Sequence, residues 1–588
     1  MLNKKTAIAV LLVAVGIVYS NSLFSGFVLD DQDTVISKSA FFSHPENALL
    51  AFAQRDTTNN AETPYYRPLN TLTYMLDHYL WGLNPFWYHL ENVLLHALVV
   101  LLFYLLVARV WGEGYMAFFS ALLFAVYPVC AEAVNFISAR NTLLCALFLL
   151  VALMSLLKGG AKWTALSFAA YFLALLSKEP AVVLPFFLLS FTLIQKGRRP
   201  PYGGWRIFAG FIAITLVYFF IRQRVLGVFV SNQRLEFSLE RLKFMSAVLY
   251  ENIRLMVFPF RLNANYSMLN VFYTPWRAAI AVSGLAALLG LSLWPGTKAP
   301  VRAGAQWILW GLLPVSNIVM IPSAPVAERY HYTILPGFVL IAGYAIAALH
   351  RKKAPAAVAV IALLALALGA RTFERNFVWR DNLTLYQSMV RSDPGNPSAR
   401  YYLARSLYGA NRFDEAARQF QAAIARQPDY PEARDGLGLV YMKKGDIEGA
   451  MREFRNAISF EPDFYSAHMH LGVALAGLGR LEDAAGEFRK SVGLNPQRFD
   501  AHLDLAITCL RQGLTEEASR EFEQVLALDP ENVTAHNDLG VIYFKQGRYA
   551  DSRREFEATL AIDPGNAIAA RDLPLVRAAG GNSVPRGN

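Results

Sequence analysis

Up to about Arg371 the chain is built from long apolar runs broken by short polar stretches, and beyond it the pattern changes to a shorter, regular beat. A membrane-crossing helix needs roughly 20 mostly apolar residues. On that measure eleven segments read as spans: 6–23, 88–109, 115–130, 140–157, 163–178, 180–195, 205–222, 275–294, 303–321, 332–349 and 355–371. The stretch 242–260 is apolar but carries Lys243, Glu251 and Arg254, and reads as a helix lying at the membrane interface. After 371 the helices are amphipathic, and Pro394, Pro428, Pro462, Pro496, Pro530 and Pro564 recur every 34 residues.

Other positions keep that phase. Phe420, Phe454, Phe488, Phe522 and Phe556 recur, and Gly445, Gly479, Gly513 and Gly547 fall at a turn between paired helices. Small residues at Ala404, Gly438, Gly472, Ala506 and Gly540 would let those helices approach closely. A helix–turn–helix unit of this period is the signature of the tetratricopeptide repeat. The fold class is therefore all-α: a polytopic membrane helix bundle over 1–371, then an α-solenoid. A linker and half-repeat are expected over 372–396, five repeats over 397–566, and a capping helix with a disordered tail over 567–588. Solenoids of this kind commonly use the concave face for binding. The phase assigns to it Tyr401, Arg405, Asp435, Leu439, Met469, Leu503 and Asn537. A protein acceptor or partner is the expected occupant.

Composition sharpens the division. Of 588 residues 55% are hydrophobic and only 17% charged, which excludes a disordered chain and an ordinary soluble enzyme. Residues 1–371 hold 29 basic and 15 acidic side chains, whereas 372–588 hold 26 and 30. With eleven spans, Lys4, Lys5, Lys196, Arg198, Arg199, Arg206, Lys298, Arg302, Arg351, Lys352 and Lys353 all fall on one side. The positive-inside rule makes that side cytoplasmic and puts the repeats in a periplasm or lumen. A bacterial inner membrane or an endoplasmic reticulum membrane would fit. The basic excess then reports topology and lipid phosphate rather than nucleic acid. Met1–Ser22 reads as an uncleaved signal anchor. Cys130, Cys145 and Cys509 are isolated, and no metal site follows from them.

Ionisable groups near span ends need a reason, because lipid disfavours them. Asp30 and Asp31 follow the first span, and both are expected to face water in a loop. Arg67 and Asp77 lie in the long segment 24–87. His89 and Glu91 open the second span, Glu132 closes the third, Arg140 opens the fourth, Lys178 and Glu179 separate the fifth and sixth, and Glu328 and Arg329 separate the ninth and tenth. All fall on the side opposite the basic loops, so they are expected to converge on one outward-facing site. Acids beside Arg and Lys suit transfer of a sugar from a polyprenyl phosphate. Cations would hold the phosphate as the sugar leaves, and a carboxylate would take the proton of an acceptor hydroxyl.

Six stretches carry a resemblance. FSGFVLDDQDTVI resembles the acidic motif of membrane-integral type C (GT-C) glycosyltransferases. YYRPLNTLTYMLDHYLWGLNPFWYHLENVLLHAL (65–98), LLFAVYPVCAEAVNFISARNTLL (122–144), LALLSKEP (173–180) and ERYHYTILPGF (328–338), with the WRDNLTLYQ linker (379–387), are similar to the transmembrane and tetratricopeptide-repeat O-mannosyltransferases. The resemblance implies Asp30 or Asp31 as catalytic base and Glu132 as a second acidic site residue. It makes Arg140, Lys178 and Arg329 candidates for the donor phosphate, with Arg67 shaping the first loop and Glu179 and Glu328 orienting the cations. The donor it implies is a dolichyl- or undecaprenyl-phosphate sugar, with mannose usual, and no cofactor or metal is required. The family often has His where Tyr127 and Cys130 stand, and an acid where Asn141 stands. A competing reading is a membrane-anchored repeat scaffold for envelope proteins, without catalysis.

Overall fold

A computed structural model describes residues 3–53, 65–112, 114–194, 204–227, 238–264, 266, 271–318 and 325–581. Lys196, Arg198 and Arg199, read above as topology signals, lie outside them, as does the tail 582–588. Among the described residues the structure is helical, with one isolated β-bridge between Tyr266 and Val326. It divides into two units, Met1–Pro394 and Gly395–Asn588.

Among the described residues of the first unit, five helices are long and apolar enough to cross a membrane: Pro85–Trp111, Ile137–Leu156, Trp205–Leu226, Pro275–Leu293 and Ala354–Trp379. Gly114–Val126, Ala161–Ser177 and Glu179–Leu193 are shorter apolar helices. Their boundaries follow from local chemistry. Asn84 caps Pro85–Trp111 by accepting from the Phe86 N–H, and Pro85 takes the first helical position, where a missing N–H costs nothing. Gly112, at φ +68°, ends that helix in the left-handed conformation that glycine adopts freely. The helix Arg140–Leu156 is buried along most of its length and forms the centre of the unit. Helices around it keep an apolar outer face: Leu94 and Leu98, Leu216, Val217 and Phe220, and Leu363 and Leu366 are all exposed. Such surfaces are stable only against lipid or another apolar partner. The stretch expected as an interfacial helix is a helix, Leu239–Val257, with Glu251 and Asn252 on its buried side.

In the second unit ten helices, from Pro397–Gly409 to Tyr549–Ile562, pair into five repeats, and Ala567–Gly581 follows them. The recurring phenylalanines are the buried core. A Cβ on Gly472 would sit 2.7 Å from the Phe488 ring, so any larger residue there would force the ring to shift. The turns use Gly445, Gly479, Gly513 and Gly547 with positive φ, and Asn411 takes the corresponding place in the first repeat at φ +58°. Ala569, Leu573 and Val576 of the last helix pack on Phe556 and cover the end of the stack.

Candidate active site

The loops singled out for their charges do come together in the first unit. Asp30 and Asp31 part company there. The Asp31 side chain is fully buried, with Oδ2 accepting from the Val28 N–H (3.0 Å) and Oδ1 from the N–H (2.8 Å) and Oγ–H (2.6 Å) of Ser138. Burial pushes its carboxyl up to about 7, while the bonds from Ser138 and Val28 act in the opposite direction. The expectation that both aspartates face water is corrected for Asp31, which ties its loop to the turn before Arg140. Asp30 is exposed and near enough to Arg329 to act on its charge. It directly follows Leu29, a non-glycine residue at φ +49°.

Neighbours in sequence do not pair with each other. Arg329 binds Glu132 twice, through its backbone N–H (2.9 Å) and through its guanidinium. Glu328 turns away to Arg375, accepting at 2.8 and 3.3 Å. Glu179 accepts from Arg67 at 3.2 Å, whereas the adjacent Lys178 sends Nζ to Thr142 Oγ1 at 2.5 Å. The expected orienting roles are thus redistributed: Glu132 orients Arg329, Glu179 orients Arg67, and Glu328 serves Arg375. The reason is geometric, since consecutive residues at the start of a helical turn point in different directions.

Arg140 also differs from its expected place. It is fully buried, and its donors go to Asn92 Oδ1 (2.9 Å), Asp77 (2.5 Å) and the Tyr88 carbonyl (3.1 Å), with Glu91 3.1 Å away. A guanidinium so enclosed holds protein elements together and has nothing left for a phosphate. What remains is a group of three cations from three loops: Arg67, Lys178 and Arg329. Lys178 Nζ lies 5.6 Å and the Arg329 guanidinium carbon 5.4 Å from the centre of the Tyr330 ring. The Arg67 guanidinium sits 4.0 Å from the centre of Tyr65. Burial, and then the charges of Arg67 and Arg329, hold the Lys178 ammonium down to about 7. An anion among them would relieve the repulsion that the pairs with Glu179 and Glu132 leave, and the exposed Asp30 is near Arg329 of this group. Among the described residues no cluster has the make-up of a metal site.

Ser138, Thr142, Tyr330 and Arg375 were missed from sequence. Arg375 had a signal, being four residues beyond the last expected span and still in helical phase. The others are ordinary residues whose roles depend on what faces them.

In the second unit the expected concave face is narrower than the phase suggests. Asp435 is buried and accepts from His470 of the next repeat (2.7 Å), and Asn537 is buried too. Leu439, Met469 and Leu503 are half-buried against the core of the stack. Tyr401 packs on Phe420 and Tyr430 with Arg405 over its ring. A ladder of side-chain pairs also runs through the stack. His468, His502 and His536 each place Nδ1 on a glutamate of the paired helix (Glu487, Glu521 and Glu555; 2.6–2.7 Å). Nε2 of each meets a proline carbonyl six residues earlier (3.0–3.1 Å). Arg434 makes the same contacts in the second repeat, with Glu453 and the Pro428 carbonyl.

Comparison with known proteins agrees with both halves. A family model described as Tetratricopeptide repeat matches residues 379–431, 401–459, 436–499 and 503–567. The chain is 24% identical over 456 residues to Protein O-mannosyl-transferase TMTC3 of Homo sapiens, covering 69% of this chain and 50% of the relative. It is 26% identical over 502 residues to Protein O-mannosyl-transferase Tmtc3 of Drosophila melanogaster, covering 70% and 54%. The chain spans about half the length of the curated relatives it matches. Among solved structures, a TPR protein titled "Crystal structure of YrrB: a TPR protein with an unusual peptide-binding site" is 20% identical over 32% of this chain and 96% of that one, with a TM-score of 0.28. The chain is thus an all-α membrane-type protein carrying tetratricopeptide repeats, and a sequence relative of the protein O-mannosyl-transferases.

Proposed function

We propose that the protein is a membrane glycosyltransferase that moves a mannose-like sugar from a polyprenyl-phosphate carrier to a hydroxyl of a protein or envelope acceptor. The observation that carries this reading is the meeting of Arg67, Lys178 and Arg329 beside the exposed carboxylate of Asp30, at the ends of apolar helices. The carrier's tail would lie in lipid, and its phosphate would sit among the cations. Asp30 takes the proton as the acceptor oxygen attacks the anomeric carbon. The bond from that carbon to the phosphate oxygen breaks, and its electron pair stays on the phosphate, where Arg329 and Lys178 stabilise the charge. A single displacement inverts the anomeric centre. The reading places the N-terminus in the cytoplasm and the site and repeats on the periplasmic or lumenal side. The repeats would recruit the acceptor or a partner.

The test is transfer by purified full-length protein in detergent from a panel of radiolabelled polyprenyl-phosphate monosaccharides, with envelope extract as acceptor and Asp30→Asn as control. Label reaching protein or glycolipid only with the unmodified chain is the expected result. Folded protein that transfers nothing from any donor, yet binds envelope proteins through its repeats, would favour the scaffold.

A further inference from the structure

Asn382 begins the helix Asn382–Ser392, the last helix of the first unit. Its side-chain Oδ1 accepts a hydrogen bond from the Leu29 backbone N–H at 3.0 Å, across 353 residues of sequence. Leu29 is in the left-handed region, at φ +49°. That conformation is costly for a side chain with a Cβ, and such residues persist only where their surroundings hold them. The next residue is Asp30. A second bond reinforces the first: the Gly26 N–H donates to the Arg380 carbonyl at 2.8 Å. The segment 375–382 therefore grips the loop 26–30 at two points.

The same segment reaches the other acid-bearing loops. Arg375 binds Glu328, the residue before Arg329. Asn376 accepts from Asn135 Nδ2 at 2.8 Å, and Trp379 stacks on Phe136 with ring centres 5.5 Å apart. Asn135 and Phe136 lie just after Glu132, the partner of Arg329. One short stretch thus spaces Asp30 against Arg329 and Glu132 from behind. Asp381 closes its own cap on Thr384 and so fixes the direction in which Asn382 points.

We propose that Asn382 is a positioning residue: its side-chain carbonyl holds Leu29 left-handed and so sets where the Asp30 carboxylate stands relative to the cations. The claim about catalysis rests on the function proposed above, while the claim about the loop does not. A base displaced by about 1 Å from the reacting hydroxyl loses on the order of 100-fold in rate.

The experiment uses the full-length protein and two readouts. Asn382→Ala removes the acceptor. Asn382→Asp keeps an oxygen at the same reach. Asn382→Gln moves the carbonyl by one methylene and replaces the alanine variant should that one not fold. With radiolabelled polyprenyl-phosphate mannose, kcat should fall about 10- to 100-fold in Asn382→Ala, with donor KM within about threefold and Asn382→Asp near the unmodified rate. Backbone hydrogen exchange across 26–34 should rise in Asn382→Ala and Asn382→Gln but not in Asn382→Asp. Unchanged exchange in Asn382→Ala, an unchanged kcat despite faster exchange, or an aspartate variant as impaired as alanine would overturn the proposal. If the unmodified protein transfers no sugar, the proposed function fails, and the exchange data alone decide whether Asn382 holds the loop.

Discussion

The two units handle charge in opposite ways. In the repeats one buried ladder of ion pairs recurs every 34 residues: His468, His502 and His536 face Glu487, Glu521 and Glu555, and Arg434 faces Glu453 in the same manner. Among the described residues of the first unit no pair recurs at such a period. Arg140, Arg329 and Arg375 each reach a carboxylate 47 to 197 residues away. The repeated pairs can be replaced from a neighbouring repeat's pattern, because the same contacts are already made there by another cation. The unrepeated pairs cannot. Arg140 with Asp77 and Arg375 with Glu328 lie where a lone charge has neither water nor a substitute, so loss of one partner strands the other.

The sharpest break in this comparison should come at Arg140. Arg140→Met leaves Asp77 buried without its partner, and a loss of about 3–5 kcal/mol is expected, read as a fall in the thermal midpoint in detergent. Asp30→Asn should lower that midpoint far less than Arg140→Met, because the side chain is exposed, and should cut transfer by about 10²–10⁴-fold. Asp31→Asn should do the reverse in part. It turns one of the two oxygens that accept from Ser138 and Val28 into an N–H donor, so it should cost about 1–3 kcal/mol of stability, read as a lower midpoint. Equal behaviour of the two aspartate variants would break the assignment.

A smaller effect is expected with pH. Lys178 is held to about 7, so its charged form dominates below that value and its neutral form above it. A donor phosphate favours the charged form. Its affinity should therefore weaken by up to about tenfold per pH unit as pH rises through and beyond 7, with proton uptake on binding. Lys178→Arg, charged throughout, should flatten the profile, and isothermal titration in two buffers of different ionisation enthalpy reads the proton. The smallest effects belong to the repeats. His502→Ala should cost about 1–2 kcal/mol by stranding Glu521 and the Pro496 carbonyl. His502→Arg should cost little, because Arg434 already makes those contacts in its own repeat. A large loss with arginine would show that the repeats are less interchangeable than their period implies.

The period of 34, the buried phenylalanines and the left-handed turn glycines were legible in the sequence, because each repeat meets the same neighbours and local pattern suffices. So were the apolar helices and the set of loops that would carry charge, since lipid leaves few places for an ionised group. Tertiary structure alone decided which aspartate is buried, which acid serves which arginine, and that Arg140 is enclosed. Those facts depend on which residue faces which across hundreds of positions, and a side chain's direction at a helix end is set by a turn of one residue. Leu29 shows the same limit: nothing in its identity announces a left-handed backbone, which exists because Asn382, 353 residues later, is there to hold it.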